Sequence, residues 1–176
     1  MAEKTKSDRK HDLVLTRIFD APLEQVWRAW VEPEMVRQWW GPTGFTCILA
    51  KIDFREGGAS LVGMRASEEF GGGEFYNTWT YRKIKPLQEF EYIQRFTNRD
   101  GQAFDPAEVG FPADVPKEVR NVNVFKDLGD GRTELTVTEY GYPSEQARDL
   151  SRLGLEQCLD KMAAIFSGAK TAHARS

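Results

Sequence analysis

From residue 13 the chain alternates, with Leu13, Leu15, Arg17 and Phe19 on one parity and Val14, Thr16 and Ile18 on the other, which predicts a first strand. The period then lengthens. Pro22 suits the first position of a helix, and Leu23, Val26, Trp27 and Trp30 recur at i, i+3, i+4 and i+7, one apolar helical face. Pro33 interrupts that helix. EMVRQWW supplies a second short one with Met35, Val36 and Trp39 inward, ended by Gly41-Pro42.

Beyond Phe45 the period returns to two, and turn signals cut the chain into short strands. In CILAKIDFR, Ile48, Ala50, Ile52 and Phe54 alternate with the outward Lys51, Asp53 and Arg55. Glu56-Gly57-Gly58 turns this strand into ASLVGMR. After a glycine tip at residues 71–73, FYNTWTYRKI reads as another strand closed by Pro86, and Phe90, Tyr92, Gln94 and Phe96 share one parity of the next. VRNVNVFKDL and RTELTVTEY form a hairpin around Gly129-Asp130-Gly131, a turn chemistry that tolerates positive φ. The longest helical pattern comes last, from Ser144, a suitable cap, to Gly168, a suitable stop. Its apolar side gathers Ser151, Gly154, Leu155, Cys158, Met162, Ile165 and Phe166 and needs a surface to cover. The inner face of a strongly bent antiparallel sheet of about seven strands is that surface, so the fold class is α+β. Two short helices stand between strands 1 and 2.

Thr97 to Lys117 breaks the rhythm with Pro106, Pro112 and Pro116, yet carries Phe104, Val109 and Phe111. A loop this long in a compact domain packs or works. Residues 99–118 are therefore expected either to close over a site as a lid or to dock permanently.

A length of 176 residues fits one domain, expected over residues 12–168 with loose tails at 1–11 and 169–176. The net charge of −3 argues against a nucleic-acid surface. Cys47 and Cys158 stand alone, without disulfide or metal spacing, and no long apolar run points to a membrane span or leader. The expected location is cytoplasmic, with no metal, no cofactor and no membrane insertion, as a monomer or homodimer. His11 and His173 lie in the expected tails, so no core histidine can complete a nucleophilic triad. Glu139 shares parity with Leu135 and Val137; it points inward, where desolvation raises its pKa, or the strand frays and it meets solvent or a cation.

Trp39 and Trp40 diverge in any regular element. Trp39 is expected to anchor the second helix and border an opening, and Trp40 to lie under the next loop or at a rim.

The motifs V-W-R-A-W, R-Q-W-W-G-P-T-G-F, I-D-F-R-E-G-G and T-E-L-T-V-T-E-Y-G-Y, in this order before one terminal helix, resemble the START-like helix-grip superfamily. Within it they are similar to the homologues of the activator of the ninety-kilodalton heat-shock chaperone ATPase. The resemblance implies a sheet closed around the C-terminal helix, enclosing a cavity that in many relatives accepts a hydrophobic or amphipathic small molecule. Chaperone-activating relatives carry an additional N-terminal domain, where this chain has a short segment, so chaperone stimulation is the lesser expectation. Some superfamily members are cyclases or hydrolases, a role that here would fall to Glu139 with Tyr81 or Tyr92.

By parity, Ile52, Phe54, Val62, Met64, Phe90, Tyr92, Phe96, Val122, Val124, Leu135 and Val137 point inward at Leu155, Cys158 and Met162. Such a stripe is a packed core unless a cavity interrupts it. The candidate ligand-lining residues are Trp39, Phe54, Met64, Trp79, Tyr92, Phe96, Phe111, Val122, Leu155, Cys158 and Met162. Ser60 and Val62, small where relatives often place an aromatic, allow either closer packing or a larger pocket.

Overall fold

β1 (His11–Phe19) leads into two short helices, α1 (Leu23–Val31) and α2 (Pro33–Trp39). β2 (Phe45–Lys51), β3 (Ala59–Ala66), β4 (Glu74–Lys85), β5 (Glu89–Thr97), β6 (Glu118–Gly129) and β7 (Arg132–Tyr142) follow, then one long helix, α3 (Glu145–Ala174). These assignments come from a computed structural model that describes residues 10–174, with side chains through residue 168. The seven strands pair antiparallel in the order β1-β7-β6-β5-β4-β3-β2. β1 and β2 are thus opposite edges of one curled sheet. The segment bearing α1 and α2 carries the chain between them, across six spacings of about 4.8 Å each.

Tryptophans plug one end of the curl. Trp27 meets Phe54, Phe90 and Phe125 edge-on at centroid distances of 5.6, 5.6 and 5.0 Å. Trp39 is fully buried, stacks on Trp79 at 6.3 Å and donates its Nε1 hydrogen to the Ala29 carbonyl at 2.7 Å, tying α2 to α1. Trp40 is the first residue past α2, with φ −69° and ψ 124°. That extended conformation ends the helical rotation that would have separated the two rings, and Trp40 meets Trp79 edge-on at 5.2 Å. Both indoles therefore join one core. Trp39 anchors its helix as expected, but from the interior and not beside an opening.

α3 packs on β1, β7 and α2 and makes no comparable approach to β3, β4, β5 or β6 among the described residues. Ser144 caps it, its Oγ accepting from Ala147 N at 3.0 Å while donating to Asp114 at 2.5 Å. Midway along, Arg17 of β1 pairs with Asp160 at 2.8 Å, and Lys161 Nζ donates to the carbonyls of Pro42 and Phe45. The helix continues through Gly168 to Ala174, so the expected stop at Gly168 is absent and residues 169–174 are helical. His11, expected in a tail, pairs with Tyr142 at the start of β1. Residues 1–9 and 175–176 of the expected tails lie outside the described residues.

Two strand expectations are corrected. β2 stops at Lys51 because Asp53 N turns to Ser60 Oγ at 3.0 Å and residues 57 and 58 bond to Tyr81 instead. In β6 the parity is reversed: Val119, Asn121, Asn123 and Phe125 are buried, while Val122 is half-buried and Val124 exposed on the outer face. Register decides this, since Asn123 stands between Phe90 and Val137 and Asn121 between Tyr92 and Glu139.

Trp39→Ala is expected to lower stability by about 3–5 kcal/mol, and Trp40→Ala by clearly less, in urea unfolding followed by circular dichroism. Equal losses would contradict the unequal burial of the pair.

Candidate functional site

The inner sheet face is not uniformly apolar. One rung crosses the sheet as Tyr81, Tyr92, Asn121, Glu139 and Leu13 on adjacent strands. Glu139 points inward, and the frayed alternative is overturned because β7 continues to Tyr142. Tyr142 and Ser151 both donate to Glu139 Oε1, at 2.5 and 2.7 Å, joining the strand to the first half of α3. Burial pushes the Glu139 carboxyl above the ordinary carboxylate range, and these two hydroxyls hold the rise back. Desolvation likewise raises Tyr92 and Tyr142, and pushes Cys158 up to about 11. That leaves the Cys158 thiol protonated and unreactive at neutral pH.

Asn123 occupies the next inward rung and is completely buried, yet neither its amide nitrogen nor its amide oxygen has a hydrogen-bond partner. The core around these groups gathers in two clusters bridged by Leu15 and Leu155. Trp79, Tyr92, Cys158 and Met162 belong to the main apolar cluster, while Leu13, Val119, Tyr142 and Ala147 form a second. A third group, Phe75, Phe96 and Phe111, holds together at centroid distances of 5.4 to 5.6 Å and joins neither. Gly154 of α3, half-buried, has no atom within 4 Å of where a Cβ would stand.

The edge of α3 beside Gly154 sets exposed leucines next to engaged polar groups. Leu150, Gln157 and Lys161 fall within a narrow sector of the helix, and Leu153 lies beside them, at about 100° per residue. Gln157 accepts from Thr43 N and Lys161 holds residues 42 and 45, whereas Leu150 and Leu153 remain 59% and 53% exposed. Phe70, itself 59% exposed, lies over Gly44, whose φ is +89°; a Cβ there would stand 2.4 Å from the ring. The 98–117 segment straps this end. Phe111 packs on Phe75 and Phe96, a short 3-10 turn spans Pro106–Val109, and Asp114 holds the α3 cap. A cleft of about 340 Å³ opens beside it, lined by Phe75, Phe96, Phe104 and Val109 together with the polar Glu74, Tyr76, Thr97, Asn98 and Arg99.

Of the candidate lining residues, Trp39, Trp79, Tyr92, Cys158 and Met162 lie in the main buried cluster with Phe54 and Leu155 packed against it, and Phe96 and Phe111 pair at the strap. Met64 is half-buried, paired with Cys47 and Phe75. Val122 lies on the opposite face. Asn121 and Asn123 were missed, although Arg120 and Lys126 share the parity of Val122 and Val124 and mark it as outward. Among the described residues no group of three histidine, cysteine, aspartate or glutamate side chains is placed to hold a metal.

Replacing Asn123 with leucine removes two unpartnered polar atoms, so the ligand-free protein is expected to gain about 1–3 kcal/mol in urea unfolding; a loss would show that the amide is satisfied. Glu139 predicts a pH signature. Because its folded pKa is raised, the stability tied to its proton is complete below the unfolded value of about 4.3 and declines as pH climbs through the raised value. Glu139→Gln should abolish that decline in unfolding midpoints measured across the range, and an unchanged profile would assign it elsewhere.

The fold has many solved counterparts. A crystal structure of a protein from Chromobacterium violaceum is 25% identical over 88% of this chain and 95% of its own, with a TM-score of 0.70. The AHSA1 protein from Silicibacter pomeroyi is 19% identical, with coverage of 89% and 98% and a TM-score of 0.70. A solution structure from Arthrobacter aurescens is 20% identical, with coverage of 89% and 86% and a TM-score of 0.71. No curated protein matches the chain. Residues 20–167 match the family described as "Activator of Hsp90 ATPase homolog 1-like protein". With β2 to β7, both short helices and most of α3 inside that match, the chain belongs to the activator of Hsp90 ATPase homolog 1-like family.

Proposed function

We propose that this protein binds a small hydrophobic or amphipathic molecule between the inner sheet face and the first half of α3, as a non-enzymatic carrier or receptor in the cytoplasm. The observation that carries the reading is the fully buried Asn123 amide, which no protein group answers, together with the open position at Gly154 on the helix. Buried polar groups are otherwise hydrogen-bonded, so an unanswered amide in the interior favours an occupant that pairs with it. Leu150, Leu153, Phe70 and Val109 supply an apolar entrance, and the 98–117 strap acts as its cover.

A second reading is an interaction module of the chaperone-associated kind. It draws on the outer face of β1 and β6, where Val14, Ile18 and Val124 are 52%, 51% and 43% exposed. The enzyme reading through Glu139 is weaker, because the hydroxyls that touch its carboxyl come from Tyr142 and Ser151, which are structural bridges between β7 and α3.

Native mass spectrometry of freshly purified protein is expected to show a bound small molecule that solvent extraction releases. Gly154→Leu should abolish the adduct while keeping or raising stability, since leucine is the better helix former by about 0.8–1 kcal/mol and meets open space. A bare mass in the parent chain, or a Gly154→Leu variant that unfolds because the space is filled, would refute the reading.

A further inference from the structure

We infer that the occupant carries an uncharged hydrogen-bonding group, a hydroxyl or amide, and that this polar end lies deepest, against Asn123 and the rung Tyr92-Asn121-Glu139, with the apolar part toward the phenylalanine rim. The inference rests on the binding reading above and specifies its ligand. Three inward groups occupy adjacent strands at one level, about 5 Å apart from strand to strand. Asn123 lies one rung deeper and presents a donor and an acceptor that nothing in the protein answers. Asn121 Nδ2 is engaged with the Val119 carbonyl. Both described donors to Glu139 use Oε1. The Asn123 amide is therefore an unanswered donor and acceptor in the buried interior, one rung from this polar row.

The charge of the guest follows from what surrounds the rung. No arginine or lysine is among the groups acting on Glu139, and cations on or against α3 are engaged elsewhere: Arg17 with Asp160, Arg148 with Asp149, Arg152 with the Val14 carbonyl, and Lys161 with the 42–45 loop. A carboxylate or phosphate would meet an acid and two tyrosines with no counter-charge, and desolvation would oppose its entry. A hydroxyl or amide both donates and accepts, which matches an asparagine amide. A site built around such groups discriminates strongly against an analogue that lacks them, because the protein's own groups are then left unpaired.

The test uses probes matched in shape: 2-naphthol, 2-methylnaphthalene and 2-naphthoate, with 1-octanol, 1-chlorooctane and octanoate as a straight-chain set. Binding is read from tryptophan fluorescence and calorimetry. The hydroxyl member of a set should bind at least about tenfold more tightly than its apolar and its anionic counterparts. Asn123→Leu should bring the hydroxyl and apolar members to within about twofold by weakening the former alone. If all members bind equally, if the carboxylate binds best, or if the preference survives Asn123→Leu, the inference fails while the binding reading stands. If no member of either set binds, the binding reading itself fails.

Discussion

A helix that covers a curled sheet must either lie across its whole inner face or lean to one side, and α3 leans: its close approaches are to β1, β7 and α2. Two fastenings hold it there. The Arg17–Asp160 pair pins its middle to the edge strand, and Lys161 and Gln157 hold the loop that follows α2. The inner faces of β4, β5 and β6 are then covered by tryptophans from α1 and α2 at one end and by the 98–117 strap at the other. Between those covers Leu155, Cys158 and Met162 of the helix join the main core, while Gly154 adds no side chain. The apolar interior gathers in two clusters that Leu15 and Leu155 bridge.

That geometry makes sense of polar residues that a packed core would reject. Glu139 is tolerated because Tyr142 and Ser151 donate to it, so its burial is offset within the protein. Asn123 has no such compensation, and an unanswered buried amide is a cost that folding alone gives no reason to retain. Stability sacrificed at one buried position is a common mark of a position held for binding.

Much of the architecture was legible from periodicity. The alternation of residues 13–19, the Pro33 break between two short helices, the Ser144 cap and the Gly129-Asp130-Gly131 hairpin are local signals, each set by neighbouring residues. What escaped was set by distant partners. In β6 two valines flanked by charges competed with two asparagines flanked by Val119 and Phe125, and only pairing with β5 and β7 assigns the faces. Glu139 could be placed inward with certainty only once Ser151 arrived from α3, 12 residues on. Gly168 failed as a stop because a single helical glycine costs only about 1 kcal/mol, less than the preceding turns gain by packing on Phe19 and β1.

A high-resolution crystal structure of the protein, purified without contact with organic solvent, bears on all of this at once. It should show elongated density between α3 and strands β4 to β6, with a polar end hydrogen-bonded to the Asn123 amide. An Asn123 amide paired to protein groups, with side chains closing the space beside Gly154, would contradict it.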